Sequence, residues 1–269
     1  MMARYRFLMV MMVLATALTL GLSSIGAQAG LPGAVTLVTP ANNVSVNLSR
    51  PIFAWTIASG ATDYRLQIFD ANWVQLRYQV YTPLQAGCGN GRCSVISPIG
   101  LTNGQSYRWK VYAKNATGTT QTTARMVTIA LGDPKAAEML TLVNQARCAA
   151  GRVPLRLETN LTHAARLHSA RMVLHNFFAH DDPYSTLDPF ERMRGLGYNY
   201  TYAGENIAAG NSTVSATFTQ WWNSTGHRNN MMNTNHREMG LGYWQGGGYG
   251  HYWTMTLGTR SGATVGICP

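Results

Sequence analysis

Acidic residues are scarce in this chain. Of its 269 residues, 11 are Asp or Glu and 21 are Lys or Arg, which gives a formal net charge of +10. The imbalance lies in the first half, where residues 30–130 contain eight basic and two acidic residues. Such a surface favours anionic partners such as acidic wall polymers or lipid headgroups, or serves only to keep the protein soluble. No block of Lys and Arg with interleaved aromatic residues occurs, so nucleic acid is not predicted as a partner.

Long apolar runs are missing after residue 22. No later stretch approaches the ~18 apolar residues that a membrane-spanning helix needs. The apolar run Phe7–Leu22 follows Arg4 and Arg6 and precedes Ala27-Gln28-Ala29. A basic start, a short apolar run and small residues at a cleavage site form the pattern of a secretory signal peptide. We therefore expect residues 1–29 to be removed and the mature, extracellular protein to have no transmembrane span.

Cysteine is limited to four residues, and none is arranged in the paired C-x-x-C motifs of a zinc ribbon. An even number of cysteines in an exported chain predicts two disulfide bonds, for which three pairings are possible. We favour Cys88–Cys93, which would close a glycine-rich loop, and Cys148–Cys268, which would tie a helix end to the C-terminal tail.

Residues 31–131 have the pattern of short strands. Apolar and polar residues alternate in Tyr64–Ile68 and Tyr107–Val111, as expected for strands with one buried face. Such strands, separated by Pro and Gly turns, predict an all-β sandwich. The predicted strands are Ala34–Val38, Ile52–Ile57, Asp63–Asp70, Trp73–Val80, Ser106–Lys114 and Ala124–Ile129.

Two segments of this half, Pro51–Trp55 and Gly104–Ala113, resemble hallmark strands of fibronectin type III domains. The resemblance implies a spacer or adhesion module. In such a module Trp55 and Trp109 are expected to be core residues.

Residues 134–268 have a helical period followed by strands. Asp133 before Pro134 is a favoured helix start, and Gly151 a favoured end. This helix is predicted to bury Ala137, Leu140, Val143 and Asn144. A second helix, from about Asn160 to Asn176, is predicted to bury Leu161, Ala165, His168 and Met172 and to leave His163 and His175 on the surface. Short helices are predicted at 189–194 and 213–223, and strands at 239–244 and 251–258. This mixture predicts an α+β or layered α-β-α domain.

Several ordered motifs in this half resemble the CAP superfamily, which comprises cysteine-rich secretory proteins, antigen 5 and pathogenesis-related 1 proteins. The resemblance covers roughly residues 137–259 and implies a three-layer α-β-α sandwich. The motifs are Leu142–Arg147, His180–Pro183, Arg192–Arg194 with Gly197-Tyr198, Gly204–Ile207, Ser224–Arg228, Met239–Tyr243 and Tyr252–Thr254.

The resemblance also implies a cleft lined by two histidines and two acidic residues. The matching residues are His180, Glu205 and His227. The second acid has no match, because no Asp or Glu occurs from Asn206 to His236, and the positions where it is expected hold Ser215 or Ser224. The absence of this acid argues against a tightly held metal ion.

Three roles are open for these three residues. Two imidazoles and a carboxylate are zinc ligand types, so they could hold Zn²⁺ or another divalent cation weakly. Without metal they could act as a general acid–base pair. In a structural role, Glu205 would bridge the two rings.

Standard hydrolase signatures are missing. The chain has no G-x-S-x-G, no H-E-x-x-H and, if both disulfides form, no free cysteine. Asp181 and Asp182 before Pro183 are expected to fix a turn, and Arg228 to anchor loop carbonyls. The sequence therefore favours a secreted binding protein for a lipid, wall polymer, peptide or metal that needs no cofactor. The alternative is an extracellular peptidase that uses His180, His227 and Glu205, with or without zinc.

Overall fold

A computed structural model describes residues 30–185 and 187–269. The predicted signal peptide at residues 1–29 lies outside the described residues. Within these ranges no helix is both long enough and apolar enough to cross a membrane.

The described part of the first half is built from strands that form two sheets. The smaller sheet has the order β1-β3-β6 and the larger one the order β2-β9-β7-β4-β5, with β8 paired to β7. The strands are β1 (Leu37–Thr39), β2 (Val44–Val46), β3 (Ile52–Thr56), β4 (Asp63–Asp70), β5 (Gln75–Tyr81), β6 (Arg92–Ile96), β7 (Ser106–Lys114), β8 (Thr119–Gln121) and β9 (Arg125–Ile129).

Side chains from both sheets meet in one apolar core. Phe53 and Trp55 of the smaller sheet lie in the same buried cluster as Leu66 and Trp109 of the larger sheet. Both tryptophans are fully buried, as expected for core residues, and Trp109 alternates with polar neighbours along β7. The two packed sheets have the layering that the sequence predicts, and the likeness to fibronectin type III domains stays a prediction.

The second half adds five helices and four strands within its described residues. The predicted helices are present within a residue or two, but the long strand β11 and the helix α5 were not predicted. The elements are α1 (Pro134–Ala149), β10 (Arg156–Leu157), α2 (Thr159–His175), α3 (Pro189–Gly195), β11 (Tyr200–Ala209), α4 (Val214–Asn223), α5 (Thr225–Met231), β12 (Glu238–Gln245) and β13 (His251–Arg260).

Helix α1 begins at the residues that the sequence predicts. Asp133 accepts hydrogen bonds from the amides of Lys135 and Ala136, with Pro134 at the first position of α1. The buried face of α1 is rotated from the predicted one. Ala136 and Met139 are buried, whereas Ala137 is exposed, so the prediction for Ala137 is wrong.

The strands of the second half form one sheet with helices on both faces. Its order is β10-β12-β13-β11. Met239 and Leu241 of β12 pack into a core shared with α1 and α4. Gly240 and Gly242 alternate with them and face α2, where an added Cβ would overlap the α2 backbone. These glycines allow α2 to lie very close to the sheet, and the predicted α-β-α layering is confirmed.

Helix α2 lies between the two halves of the protein. One of its faces packs on β12, and the opposite face contacts the smaller sheet of the first half. Ile52 and Ala54 of β3 pack against Ala170 and Leu174 of α2. This explains why β3 is buried on both faces, with Phe53 and Trp55 directed to the other side.

Two histidines of α2 were predicted to lie on the surface, and this prediction is wrong. His175 is fully buried, with its Nδ1 2.8 Å from the Gly89 carbonyl and its Nε2 3.2 Å from the Ser94 hydroxyl. His163 is 4% exposed and its Nε2 lies 3.4 Å from the Ser49 hydroxyl. The polar face of α2 is therefore an interface with the first half rather than a solvated face.

Both predicted disulfide bonds are present. Cys88–Cys93 closes the loop before β6, and Cys148–Cys268 joins the end of α1 to the C-terminal tail. The described residues contain no free cysteine. The first disulfide-bonded loop contacts α2, since the Gly87 carbonyl accepts a hydrogen bond from Arg171.

Candidate functional site

His180 and Glu205 are in direct contact. His180 lies in the loop between α2 and α3, and Glu205 lies at the middle of β11. The His180 Nδ1 is 2.9 Å from Oε1 of Glu205. The Nδ1 hydrogen of the ring is thus directed at the carboxylate, which leaves Nε2 without a bond to Glu205. The His180 side chain is 48% exposed, whereas that of Glu205 is 2% exposed. The ring thus reaches solvent while the carboxylate stays beneath it.

The second oxygen of Glu205 is held by an arginine. Nη2 of Arg192, on α3, donates to Oε2 of Glu205 at 2.9 Å, and its Nη1 donates to the carbonyl of His180. Burial alone would raise the pKa of Glu205. The hydrogen bond from His180 and the nearby charge of Arg192 outweigh burial and hold this pKa below its usual range. Glu205 is therefore an ionised carboxylate with both oxygens occupied.

His168 lies beneath the pair as a structural residue. It is fully buried, and its Nε2 donates to the carbonyl of Ala179 at 2.8 Å, one residue before His180. The same nitrogen is 4.0 Å from Oε1 of Glu205. Burial lowers the pKa of His168 to about 4, so the ring is neutral at physiological pH. The predicted burial of His168 is confirmed.

His227 approaches from α5. Its backbone carbonyl accepts a hydrogen bond from Nδ2 of Asn206 at 3.0 Å, and Asn230 donates to the Glu205 carbonyl. These bonds attach α5 to β11 beside the carboxylate. The His227 Nδ1 is buried without a hydrogen-bond partner among the described residues. Burial and the charge of His180 lower the pKa of His227.

The predicted trio is thus only partly joined by contacts. His180 touches Glu205, and His227 lies near enough to His180 to interact electrostatically. No hydrogen bond between His227 and Glu205 occurs in the described residues. No second acid joins them, because the positions where it is expected hold serines. Ser215 is exposed on α4, and Ser224 precedes α5, where its side chain forms no capping hydrogen bond.

A three-ligand metal site does not fit this arrangement. The residues that the structure describes contain no group of three or more His, Cys, Asp or Glu able to hold a metal ion. Both oxygens of Glu205 are occupied, and the cation beside them is the Arg192 guanidinium. A metal ion at this carboxylate would have to displace that charge. Two imidazoles are left as candidate ligands.

The neighbouring residues have the supporting roles that the sequence predicts. The amides of Tyr184 and Ser185 donate to Oδ1 of Asp182, which fixes the turn after His180. Asp182 also forms a buried ion pair with Arg171. Arg228 donates to the carbonyl of Trp222 at 2.9 Å, so it anchors a loop carbonyl as expected.

The sequence did not predict the partner of Glu205. Arg192 was part of a recognised motif but had no assigned role, and Asn206 and Asn230 were not singled out. One sequence signal could have indicated the role of Arg192. Arg192 lies in a short helix that begins with a capping box at Asp188, and such a cap fixes where the helix starts.

Known proteins resemble this half of the chain. Residues 140–257 match the family described as "CAP: Cysteine-rich secretory protein family". "Uncharacterized protein YkwD" of Bacillus subtilis is 37% identical over 110 residues, which are 41% of this chain and 42% of that protein. The match therefore spans less than half of the relative's length.

The similar solved structures are more distant in sequence. An extracellular protein containing a SCP domain from Bacillus anthracis has a TM-score of 0.43 and 18% identity over 80% of this chain and 89% of its own. An outer surface protein of Borrelia burgdorferi has a TM-score of 0.43 and 15% identity over 46% of this chain and 92% of its own. From the family match and the layered sheet described above, residues 140–257 of this chain form a CAP domain.

Proposed function

We propose that this chain is a secreted protein whose CAP domain binds an extracellular ligand at His180 and His227 without turnover. The observation that carries the proposal is the position of Glu205. Both of its oxygens are occupied by protein donors, so the carboxylate supports the site and the imidazoles are left for a ligand. A neutral imidazole offers one donor and one acceptor nitrogen.

The ligand classes are those that the sequence suggests: a lipid, a wall polymer or a weakly held divalent cation. Zinc held by two imidazoles without a carboxylate would bind weakly, since structural zinc sites use four protein ligands and catalytic sites three. Its affinity would fall as the pH drops through the imidazole range, because protons compete for the ring nitrogens.

Hydrolysis is the second candidate function, and one observation favours it. The hydrogen bond from His180 to Glu205 orients the ring with Nε2 toward solvent, which is the geometry of a general base. A base also needs a nucleophile and donors for the developing oxyanion. Ser224 precedes His227 by three residues, but its hydroxyl makes no hydrogen bond to an imidazole in the described part of the chain. The described residues therefore support binding better than hydrolysis.

The test compares the wild-type protein with His180→Gln/His227→Gln and with His251→Gln as a matched control. His251 belongs to the same domain and its Nδ1 is hydrogen-bonded to the Tyr243 hydroxyl instead. The probes are purified peptidoglycan and phosphatidylcholine vesicles in co-sedimentation, Zn²⁺ in calorimetry, and casein in a turnover assay.

We expect the wild type and the His251 variant to bind at least one of the three binding probes and the double variant to lose that binding. Casein should stay intact with all three proteins. Equal binding by the double variant, or no binding by the wild type, would overturn the proposal. Casein turnover that the double variant abolishes would support the hydrolase instead.

A further inference from the structure

The larger sheet of the first half has one face that no part of the described chain covers. Its inner face supplies Leu66 and Trp109 to the core. The opposite face carries alternate residues of β4, β5 and β7 and is called the outer face here. Helix α2 packs on the other sheet, so the outer face points away from the CAP domain.

The hairpin that joins β4 to β5 exposes a cluster of apolar side chains at its tip and on the outer face. The exposed fractions are 50% for Trp73, 58% for Val74, 43% for Leu76, 40% for Tyr78 and 44% for Val80. Tyr78 and Val80 pair with Gln67 and Arg65 of β4 and therefore lie on the outer face. The register shifts between Arg77 and Gln75, so Val74 and Leu76 belong to the tip of the hairpin rather than to this face. Single exposed apolar residues are ordinary, but a cluster of this kind at one hairpin marks an interaction surface.

Trp73 has a backbone conformation that a large side chain rarely adopts. Its φ is +68°, in the left-handed region that favours Gly or Asn. The ring is held over the turn by the Arg108 guanidinium, 4.9 Å from its centroid, and by an edge contact with Phe69 at 5.4 Å. An exposed Trp kept at a strained turn position points to a role for this ring outside the fold.

Two cations, Arg108 and Lys110, lie beside aromatic rings of this face. Arg108 donates to the Ala71 carbonyl, and Nζ of Lys110 lies 5.0 Å from the centroid of the Tyr112 ring. Neither forms an ion pair with an acid in the described residues, whereas the neighbouring Arg65 is paired with Asp63. The outer face therefore combines exposed apolar side chains with uncompensated positive charge.

We propose that the β4–β5 hairpin and the outer face dock on an anionic lipid bilayer. Trp and Tyr favour the headgroup level of a membrane, aliphatic side chains favour the region below it, and Arg and Lys pair with anionic headgroups. This occupant accounts for all three kinds of residue. An acidic polysaccharide would use the rings and the cations but leaves Val74, Leu76 and Val80 without a role.

Co-sedimentation with vesicles tests this surface. Two vesicle preparations are used, one of phosphatidylglycerol mixed with phosphatidylcholine and one of phosphatidylcholine alone. The variant Trp73→Asn/Val74→Ser removes the apolar tip, and Asn tolerates the left-handed backbone. Arg108→Gln/Lys110→Gln removes the charges. Val153→Ser, an exposed apolar residue of the other half, is the matched control.

The wild type should bind the anionic vesicles, and added salt should weaken binding because it screens the cations. We expect the tip variant to lose about tenfold or more in affinity with an unchanged or raised thermal midpoint. The charge variant should lose affinity and most of its salt dependence, and the control should match the wild type. The His180→Gln/His227→Gln protein should also bind as the wild type does, which separates this proposal from that for the cleft.

Unchanged vesicle binding by the tip variant would overturn the proposal. Equal binding to phosphatidylcholine alone would contradict the role of the cations. Binding of a soluble acidic polysaccharide that the tip variant loses, without vesicle binding, would assign the surface to a glycan instead.

Discussion

The carboxylate of Glu205 is shared by two donors of different kinds. Arg192 supplies a permanent positive charge, and His180 supplies a ring nitrogen from a side chain that reaches solvent. A buried carboxylate needs such partners, because an unpaired ionised group in the interior is strongly destabilising. The residue thus stabilises the junction of three segments: the loop before α3, the helix α3 and the strand β11.

The residue types of the site could be predicted from the sequence, but their contacts could not. His180, Glu205 and His227 were identified from motifs. The motif does not say which cation neutralises Glu205, since Arg192 and Arg194 lie two residues apart. The three-dimensional path of α3 decides this, because it buries Arg192 and leaves Arg194 exposed.

The burial of the His236 ring predicts that the protein loses stability in acid. It is 1% exposed, and neither ring nitrogen has a hydrogen-bond partner among the described residues. Burial, with the charges of Arg147 and Arg237, lowers its pKa to about 4. The unfolded chain takes up this proton near pH ~6.5, whereas the folded protein does so only near pH 4. The contribution of the neutral His236 ring to the free energy of unfolding is therefore complete above pH ~6.5 and is lost as the pH falls through 4.

His163 and His168, each with a pKa lowered to about 4 mainly by burial, act in the same direction. The free energy of unfolding should therefore fall between pH ~6.5 and 4 by about 1.4 kcal/mol per pH unit for each buried histidine. His236→Phe should remove about one proton from this slope. Urea unfolding at a series of pH values measures it. A slope that His236→Phe leaves unchanged would count against this explanation.

At the scale of elements, α2 has two buried faces of different chemistry. Leu161, Ala165 and Met172 were predicted from their spacing, and they are buried. His163, Arg166, Arg171 and His175 have the spacing of a solvated stripe, yet they contact the first half. Periodicity within one segment cannot show this, because the partner surface comes from a distant part of the chain.

Strand β11 illustrates the same limit. Its sequence, Tyr-Thr-Tyr-Ala-Gly-Glu-Asn-Ile-Ala-Ala, does not alternate, since it contains Glu205 and Asn206 at consecutive buried positions. These polar residues are accommodated because Arg192 and Asn230 reach them from other elements. A strand that carries a site therefore departs from the pattern by which strands are predicted.

The close packing of α2 on β12 predicts that Gly242 cannot carry a side chain. A Cβ there would overlap the backbone of Ala165 and Arg166, which cannot move aside as a flexible side chain could. Gly242→Ala should lower the free energy of unfolding by about 1–3 kcal/mol or more, as overpacking in a core does. Gly248→Ala in the β12–β13 loop meets only an ordinary contact and is the control. Equal denaturation midpoints for both variants would show that α2 is farther from the sheet than described.

At the scale of the whole molecule, the two halves are joined through α2 and through charged contacts. Arg166 donates to the carbonyl of Asn47 at 2.9 Å, and Arg171 donates to Ser94 Oγ at 2.9 Å. The sequence indicates two regions of different period and two cysteine pairs, both of which are present in the structure. It does not indicate that the regions share an interface, because the predicted boundary near residue 132 carries no signal for docking.

This interface predicts that the protein unfolds as one unit. Ala170 of α2 is fully buried at the contact with β3, where it packs against Ile52 and Ala54. We expect a single thermal transition in the wild type by calorimetry, since the halves stabilise one another. Ala170→Glu should place an unpaired charge in the interface and separate the transition into two. Ala137→Glu, at an exposed position of α1, should leave one transition. Two transitions in the wild type would contradict the rigid docking.

The central claim is that Glu205 supports the site while the imidazoles are left for a ligand. Urea unfolding of Glu205→Gln beside His180→Gln/His227→Gln tests it most directly. Glu205→Gln leaves the Arg192 guanidinium buried without a counter-charge, so we predict a loss of about 3–5 kcal/mol in the free energy of unfolding, and less than about 1 kcal/mol for the histidine pair. Unchanged or raised stability in Glu205→Gln, together with a large loss in the histidine pair, would contradict this account.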